Sequence, residues 1–190
     1  MRADAALRGH FGSPLAGQRD TGAVGELVFV YGTLRRGGVR ALPTLFPTSQ
    51  DLGPATVKGV LVDFGAFPGL QLVQPGSAPM DSRVVHGELY AVDQPTLDRL
   101  DEIEVYLPNQ LDRSYYFRVP ADVARGSHGG YSGYSGYGGH GEIVQAWTYE
   151  YNPALLESTE IVSSGDWIAY VATKANLPLE RWPDGRVIER

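Results

Sequence analysis

The chain has no cysteine, which excludes disulfide staples, thiolate nucleophiles and cysteine-ligated metals or clusters together. A reducing compartment such as the cytoplasm fits that composition. Histidine is scarce: of four, His10 lies near the N-terminus and His128 and His140 fall in a glycine tract. A histidine-based triad or multi-histidine metal site would rest on His86 alone. Long hydrophobic runs are also missing. The run Leu27-Val28-Phe29-Val30-Tyr31 is far short of the roughly 20 residues that cross a bilayer, so no membrane segment is expected. Cations are in deficit, with 16 Lys and Arg against 22 Asp and Glu and a formal charge of -6. A broad nucleic-acid footprint is therefore not expected. What is left suits one domain of 190 residues whose chemistry rests on carboxylates, hydroxyls and backbone groups.

Glycine, by contrast, is concentrated. Residues 126–141 hold eight of the chain's 24 glycines together with three Tyr, three Ser and two His. With no apolar aliphatics to offset its ordering entropy, this tract reads as a disordered loop inserted between two strands. Its tyrosines offer contacts to partners or RNA; a tolerated hairpin-tip insertion is the plainer reading. Residues 1–26 read as a flexible leader without a signal-peptide core, and residues 176–190 as a tail. Between them, over 27–175, strands outnumber helices. Leu27–Tyr31 is a continuous apolar run ending at Gly32, and Val57–Phe64 breaks before the turn-prone Phe67-Pro68-Gly69-Leu70. Val84–Val92, Tyr115–Val119 and Glu142–Tyr151 follow as further strands. Two helices are expected. One is capped by Asp93 with Pro95 in its first turn; the other opens near Ser163 or Ser164, carries Trp167, Tyr170 and Val171 on one stripe and ends before Pro178. No regular βαβ alternation is present, so the pattern predicts an α+β domain on a largely antiparallel sheet or open barrel.

The first helix holds the chemically informative oddity. Leu97, Leu100 and Glu104 follow the i, i+3, i+7 spacing, which puts a carboxylate on the apolar stripe, while Asp98, Asp101 and Glu102 lie elsewhere. Apolar surroundings destabilise the charged form and suit Glu104 to exchange a proton near neutral pH. The alternative is a helix that ends at Ile103, leaving Glu104 solvated. A second signal is Tyr31-Gly32-Thr33-Leu34-Arg35-Arg36-Gly37-Gly38, where a bend after a buried strand can present several backbone N–H groups to one anionic group. Gly32 permits close approach and Thr33 adds a hydroxyl. Neither phosphate-loop nor dinucleotide glycine pattern is present, so a carboxylate-sized ligand suits the bend; a plain strand-ending turn is the alternative.

Taken in order, Val28-Phe29-Val30-Tyr31-Gly32-Thr33-Leu34, Gly59-Val60-Leu61, Phe67-Pro68-Gly69-Leu70, Val85-His86-Gly87-Glu88-Leu89-Tyr90, Leu100-Asp101-Glu102-Ile103-Glu104, Tyr116-Phe117-Arg118 and Ser164-Gly165-Asp166-Trp167 resemble the gamma-glutamylcyclotransferase-like (AIG2-like) family. The resemblance implies a compact mixed, largely antiparallel β-barrel with flanking helices. It also implies cyclisation of a γ-glutamyl group, a transferase- or lyase-type reaction releasing 5-oxoproline and a free amine. In that reading Glu104 is the catalytic acid/base, Tyr31, Gly32, Thr33 and Leu34 surround the γ-glutamyl moiety, and Tyr116 and Tyr149 complete the pocket. The substrate's own amine is the nucleophile, so no cofactor or metal is implied, and the partner is a small γ-glutamyl amine, amide or peptide, glutathione being one candidate.

Departures from the family pattern are also expected to matter. Gly37-Gly38-Val39-Arg40 stands where relatives carry a Pro-Asn or similar pair, which would alter the pocket rim. Val105–Tyr115 is longer than in many relatives and would remodel the leaving-group side. A non-catalytic γ-glutamyl-ligand-binding or protein-interaction module on the same scaffold is the competing function, and the oligomeric state stays open. Asp166 and Trp167 are read as structural, His86 as a strand residue. Arg118 is read as either a contact to an acidic substrate tail or a surface arginine, and Arg35 and Arg36 as steering or solvated charges.

Overall fold

A computed structural model describes residues 25–73, 83–126, 142–157 and 160–174. The leader through residue 24, most of the Gly/Tyr/Ser tract and the tail lie outside the described residues. Among the described residues seven strands, β1 (Glu26–Val30), β2 (Gln50–Asp63), β3 (Pro68–Leu72), β4 (Val84–Val92), β5 (Tyr116–Arg125), β6 (Ile143–Tyr151) and β7 (Glu160–Ile161), are joined by helices α1 (Leu42–Leu45), α2 (Gln94–Ile103) and α3 (Trp167–Thr173). The order β2-β4-β1-β6-β5 closes on itself through β2–β5 pairing at Ala55↔Arg125 and Thr56↔Ala124. The result is a closed five-stranded barrel. Its pairings are antiparallel except β1–β6, which is parallel with Val28 opposite Trp147. β3 and β7 extend β2 outside the barrel. The expected mixed α+β barrel with flanking helices is the observed fold. Glu26, counted with the leader in the sequence reading, opens β1 and accepts a hydrogen bond from Trp147 Nε1 at 2.9 Å.

Two apolar clusters follow from strand alternation. Phe29, Val57, Val85, Leu89, Val123 and Ala146 come from all five barrel strands and fill the interior. Val28, Val30, Tyr90 and Val92 point the other way and meet Leu97 and Leu100 of α2. Burying each such leucine is worth about 1.5–3 kcal/mol. Gly87 makes the interior possible: a Cβ there would stand 2.3 Å from Val30 O and 2.4 Å from the Phe29 ring. α2 opens as expected, the Asp93 carboxylate accepting the Thr96 N–H at 2.9 Å, a cap worth about 1 kcal/mol.

Other expectations shift. Phe67-Pro68-Gly69-Leu70, read as a turn, supplies the start of β3, with proline at the strand's first position, where it costs no essential donor. α3 begins at Trp167, later than the serines, and Asp166 is its N-cap, accepting the Ala169 N–H at 3.1 Å. Trp167 is buried, as expected. Among the described residues no helix is long and apolar enough to cross a membrane.

Candidate active site

One pocket gathers Tyr31, Gly32, Thr33, Leu34, Glu104, Tyr116 and Tyr149, all seven residues singled out from the sequence. It spans about 560 Å³ including its open mouth, and Phe29, Val30, Val39, Arg40, Ala66, Phe67 and Pro68 complete its lining. The residues arrive from the C-terminal end of β1, the loop that follows it, the end of α2, and the adjoining ends of β5 and β6.

Glu104 reaches the pocket by an unexpected route. α2 stops at Ile103, and Glu104 is its C-cap at φ -84° and ψ 0°, its N–H bonded to Leu100 O at 2.9 Å. The solvated end that such a stop suggests does not follow, because the residue still lines the pocket. Burial pushes its carboxyl up to about 7, against a smaller downward pull from the Arg40 guanidinium. Among the described residues no donor is hydrogen-bonded to that carboxylate. Immediately after it, Val105 has φ 53°, the left-handed region that a β-branched side chain strongly resists. Three bonds enforce the bend: Val105 N to Glu102 O at 3.2 Å, Tyr106 N to Asp101 O at 2.8 Å and Tyr115 N to Val105 O at 3.0 Å. Val105→Gly relieves this strain, so unfolding stability should stay within about 1 kcal/mol of the parent or exceed it. Turnover should drop several-fold as the Glu104 backbone gains freedom. Urea titration beside steady-state kinetics checks this, and a parallel loss of stability and activity would show that Val105 serves only packing.

The loop after β1 is pinned from within and from below. Arg35 N bonds to Gly32 O at 3.1 Å, Arg40 N to Thr33 O at 3.1 Å, and Leu42 N to Leu34 O at 2.8 Å. These bonds use the loop's carbonyls; among the described residues the N–H groups of Gly32, Thr33 and Leu34 take no part in the loop's own bonding. Gly32 is needed for contact with the protein itself as well as for ligand access, since a Cβ would lie 2.6 Å from Pro68 Cγ. Beneath the loop, the buried Glu88 accepts the Arg36 N–H at 3.0 Å and the Tyr90 hydroxyl at 2.8 Å. Arg35 is neither steering nor solvated: it pairs with Asp166 at 2.8 Å and approaches Glu88 at 3.8 Å. Arg36 is more exposed and pairs with Asp51 at 2.6 Å. His86 is an exposed strand residue outside this pocket.

The three tyrosines have their hydroxyls engaged by the protein. Tyr31 donates its hydroxyl to Tyr149 O at 2.7 Å, Tyr116 to Pro68 O at 2.7 Å, and Tyr149 to Asp101 Oδ1 at 2.8 Å. Burial holds all three phenols well above their ordinary value, with Glu104 adding to the rise for each. Their protons are committed to the scaffold.

Sequence reasoning missed two features here. Asp101 is not a solvated helix acid: its other oxygen pairs with Arg118 Nη1 at 2.9 Å, and Arg118 lies over the Trp147 and Tyr106 rings at 5.2 and 5.6 Å. Arg118 therefore braces the wall from behind, outside the pocket lining. Arg40 is the second, brought inward by the fold-back onto Thr33; Gly37 and Gly38 were the available signal, since such a pair permits a reversal. The expected remodelling by Val105–Tyr115 does not reach the pocket, to whose lining it contributes no residue. Ser114 Oγ holds that segment by accepting the Leu107 N–H at 2.8 Å, and Asn152 Nδ2 donates to Ser114 O at 2.9 Å.

Fold and pocket together define a small mixed barrel in which a titratable carboxylate and a strand-end loop line one pocket. The family model described as gamma-glutamyl cyclotransferase, AIG2-like, matches residues 28–169, and the chain belongs to that family. It is 44% identical over 81 residues to a putative gamma-glutamylcyclotransferase of Vibrio cholerae, covering 42% of this chain and 62% of that protein. It is 32% identical over 130 residues to the gamma-L-glutamyl-butirosin B gamma-glutamyl cyclotransferase of Niallia circulans, covering 66% of each. The chain thus spans somewhat under two thirds of the length of these curated relatives. The crystal structure of YkqA from Bacillus subtilis has the same fold, with a TM-score of 0.53 at 23% identity over 83% of this chain and 45% of that one. So does PH0828 of Pyrococcus horikoshii, with a TM-score of 0.50 at 19% identity over 78% and 95%.

Proposed function

We propose that the protein is a γ-glutamyl cyclotransferase: it folds the γ-glutamyl chain of a small amide back on itself, releasing 5-oxoproline and the free amine. The observation that carries this reading is Glu104, a carboxylate poised to titrate near 7 in the same pocket as the Gly32–Leu34 backbone. Family membership supports it. In the reaction the substrate's α-ammonium gives a proton to Glu104, and the freed amine attacks the γ-carbonyl carbon. The tetrahedral intermediate collapses when Glu104 returns the proton to the departing nitrogen, breaking the original amide bond, and the second proton shed by the ring nitrogen follows to the amine, which leaves as its ammonium. No water is consumed. Forming a five-membered ring is mainly a matter of position, to which a pocket that holds the chain folded contributes several kcal/mol. The N–H groups of Gly32, Thr33 and Leu34 are suited to the negative end of the γ-glutamyl group and to charge developing on the carbonyl oxygen. The rings of Tyr31, Tyr116 and Tyr149 shape the walls and exclude water.

The test is 5-oxoproline release from γ-glutamyl dipeptides, γ-glutamyl amines, γ-glutamyl-ε-lysine and glutathione. Release from at least one supports the reading. No product from any of them, with the protein folded, rejects cyclotransferase action on these classes, and titration with 5-oxoproline then tests the binding-module alternative.

A further inference from the structure

Glu88 is a buried carboxylate that the reaction above does not use. We propose that it is a positioning residue: it holds the Arg35-Arg36 part of the loop after β1, so that the Gly32–Leu34 amides stand ordered before a ligand arrives, and thereby sets the affinity for the γ-glutamyl group. This inference rests on the proposed reading of the pocket and adds to it the residue that prepares the loop.

Register puts Glu88 at the root of that loop. It pairs with Val30, the last residue of β1, and by strand alternation it shares the barrel face of Val28, Val30, Tyr90 and Val92. A carboxylate on such an apolar face costs free energy unless donors satisfy it. The donors are the Arg36 N–H at 3.0 Å and the Tyr90 hydroxyl at 2.8 Å, both on Oε2. Oε1 lies 3.8 Å from Arg35 Nε, a buried atom with no hydrogen bond among the described residues. Two consecutive loop residues thus converge on one charge.

Other carboxylates complete the attachment. Arg35 Nη1 bonds to Asp166 Oδ1 at 2.8 Å and to His86 O at 3.3 Å, and Arg36 Nη2 pairs with Asp51 at 2.6 Å. Of the three acids, Glu88 is the buried one and the one that takes a main-chain N–H of the loop. That bond matters because of what lies on either side. Arg35 N closes back on Gly32 O at 3.1 Å, so fixing Arg36 fixes the turn that carries Gly32, Thr33 and Leu34. Gly37 and Gly38 follow at once, with Gly37 at φ 81°, and two glycines make this stretch expensive to order. A charged acceptor offsets that cost in the empty protein. A ligand that binds only the ordered loop has its apparent Kd raised in proportion as the ordered fraction falls.

The experiment measures KM and kcat for the γ-glutamyl amide that the parent turns over fastest, and the Kd of 5-oxoproline by calorimetry. Parent, Glu88→Ala, Glu88→Gln and Tyr90→Phe are compared, and urea denaturation establishes that each folds. Glu88→Ala should raise KM and Kd about tenfold or more, because a buried bond to a charged acceptor no longer orders the loop. At saturation the substrate itself orders it, so kcat should stay within about threefold of the parent. Glu88→Gln keeps an uncharged acceptor for Arg36 and should raise KM and Kd about three- to tenfold. Tyr90→Phe removes the other hydrogen bond to Glu88 and leaves the loop's, so it should lose stability yet keep KM and Kd within about twofold. A merely structural carboxylate would not give that split. A folded Glu88→Gln with parental KM and Kd overturns the proposal. So does a Tyr90→Phe that weakens binding as much as Glu88→Gln, or a Glu88 variant whose kcat falls while KM holds. Should Glu88→Ala not fold, Glu88→Gln against Tyr90→Phe decides alone. A parent that binds 5-oxoproline but releases it from no substrate defeats the cyclotransferase activity, and the Kd comparison still decides the role of Glu88. A parent that does neither defeats both.

Discussion

Replacing Glu104 with glutamine is expected to lower kcat for 5-oxoproline release by a factor of about 10² to 10⁴, the usual worth of a positioned acid–base group. The change is nearly isosteric, so the pocket shape set by the three tyrosines and the Gly32–Leu34 loop should survive, and KM should move much less than kcat. The parent's kcat/KM should rise with pH, reach half its plateau near 7 and level off above that, because the carboxyl is pushed up to about 7 by burial and only its ionised form accepts the ammonium proton. Residual activity of Glu104→Gln should lack that rise. A variant that keeps parental kcat, or keeps the acid limb of the profile, would remove Glu104 from the mechanism.

The same substitution should stabilise the protein at alkaline pH. Glu104 has a folded-state value near 7, above its ordinary 4.5, so the native state favours the protonated carboxyl. Stability from this group is fully present below about 4.5, and it is lost as pH rises through about 7. At 1.4 kcal/mol per pH unit of displacement, the loss is at most about 3 kcal/mol. Access of water through the pocket mouth reduces it. Glutamine stays neutral and avoids the loss. Urea denaturation should therefore find Glu104→Gln similar to the parent at pH 4.5 and about 1–3 kcal/mol more stable at pH 8. Equal stability at pH 8 would mean that the carboxylate is solvated. The two results together would describe a group that costs the fold something in order to serve the chemistry.

How far these features could be read from residues alone depends on whether their cause was local. β4 occupies its expected span, Val84–Val92, because its valines, Leu89 and Tyr90 favour a strand on both sides of the His86-Gly87-Glu88 step. The start of α2 was legible because Asp93 and Pro95 act within one turn. β2 begins at Gln50, well ahead of the expected Val57; Gly53 and Pro54 look like a loop, yet the chain absorbs them at a register shift between Asp51 and Gly53. β5 likewise runs through Pro120 to Arg125. Up to that proline β5 is paired with β6 and not yet with β2, so a missing N–H is tolerated at what is locally an edge. The pocket tyrosines were found as residues, but not their committed hydroxyls, whose acceptors lie 48 and 118 positions away in sequence. Arg40 was legible only as part of an altered rim: its place in the lining comes with a backbone hydrogen bond to Thr33, which no periodicity encodes.

The placement of β1 between β4 and β6 also sets the order in which the molecule can be completed. Tyr31, at the edge of the Gly32–Leu34 loop, is joined to Tyr149 across 118 residues of chain. Pairing of β1 with β4 can precede that contact, but a nascent chain that has not yet reached β6 has the loop without the wall opposite it. Such long-range closure is slow and is favourable only once the intervening loop entropy has been overcome. A compound seated in the finished pocket would touch the early and late segments at once and would act as a clasp on the whole barrel. Its protection against proteolysis should then extend to strands far from the pocket, since releasing the clasp and opening the barrel are the same event.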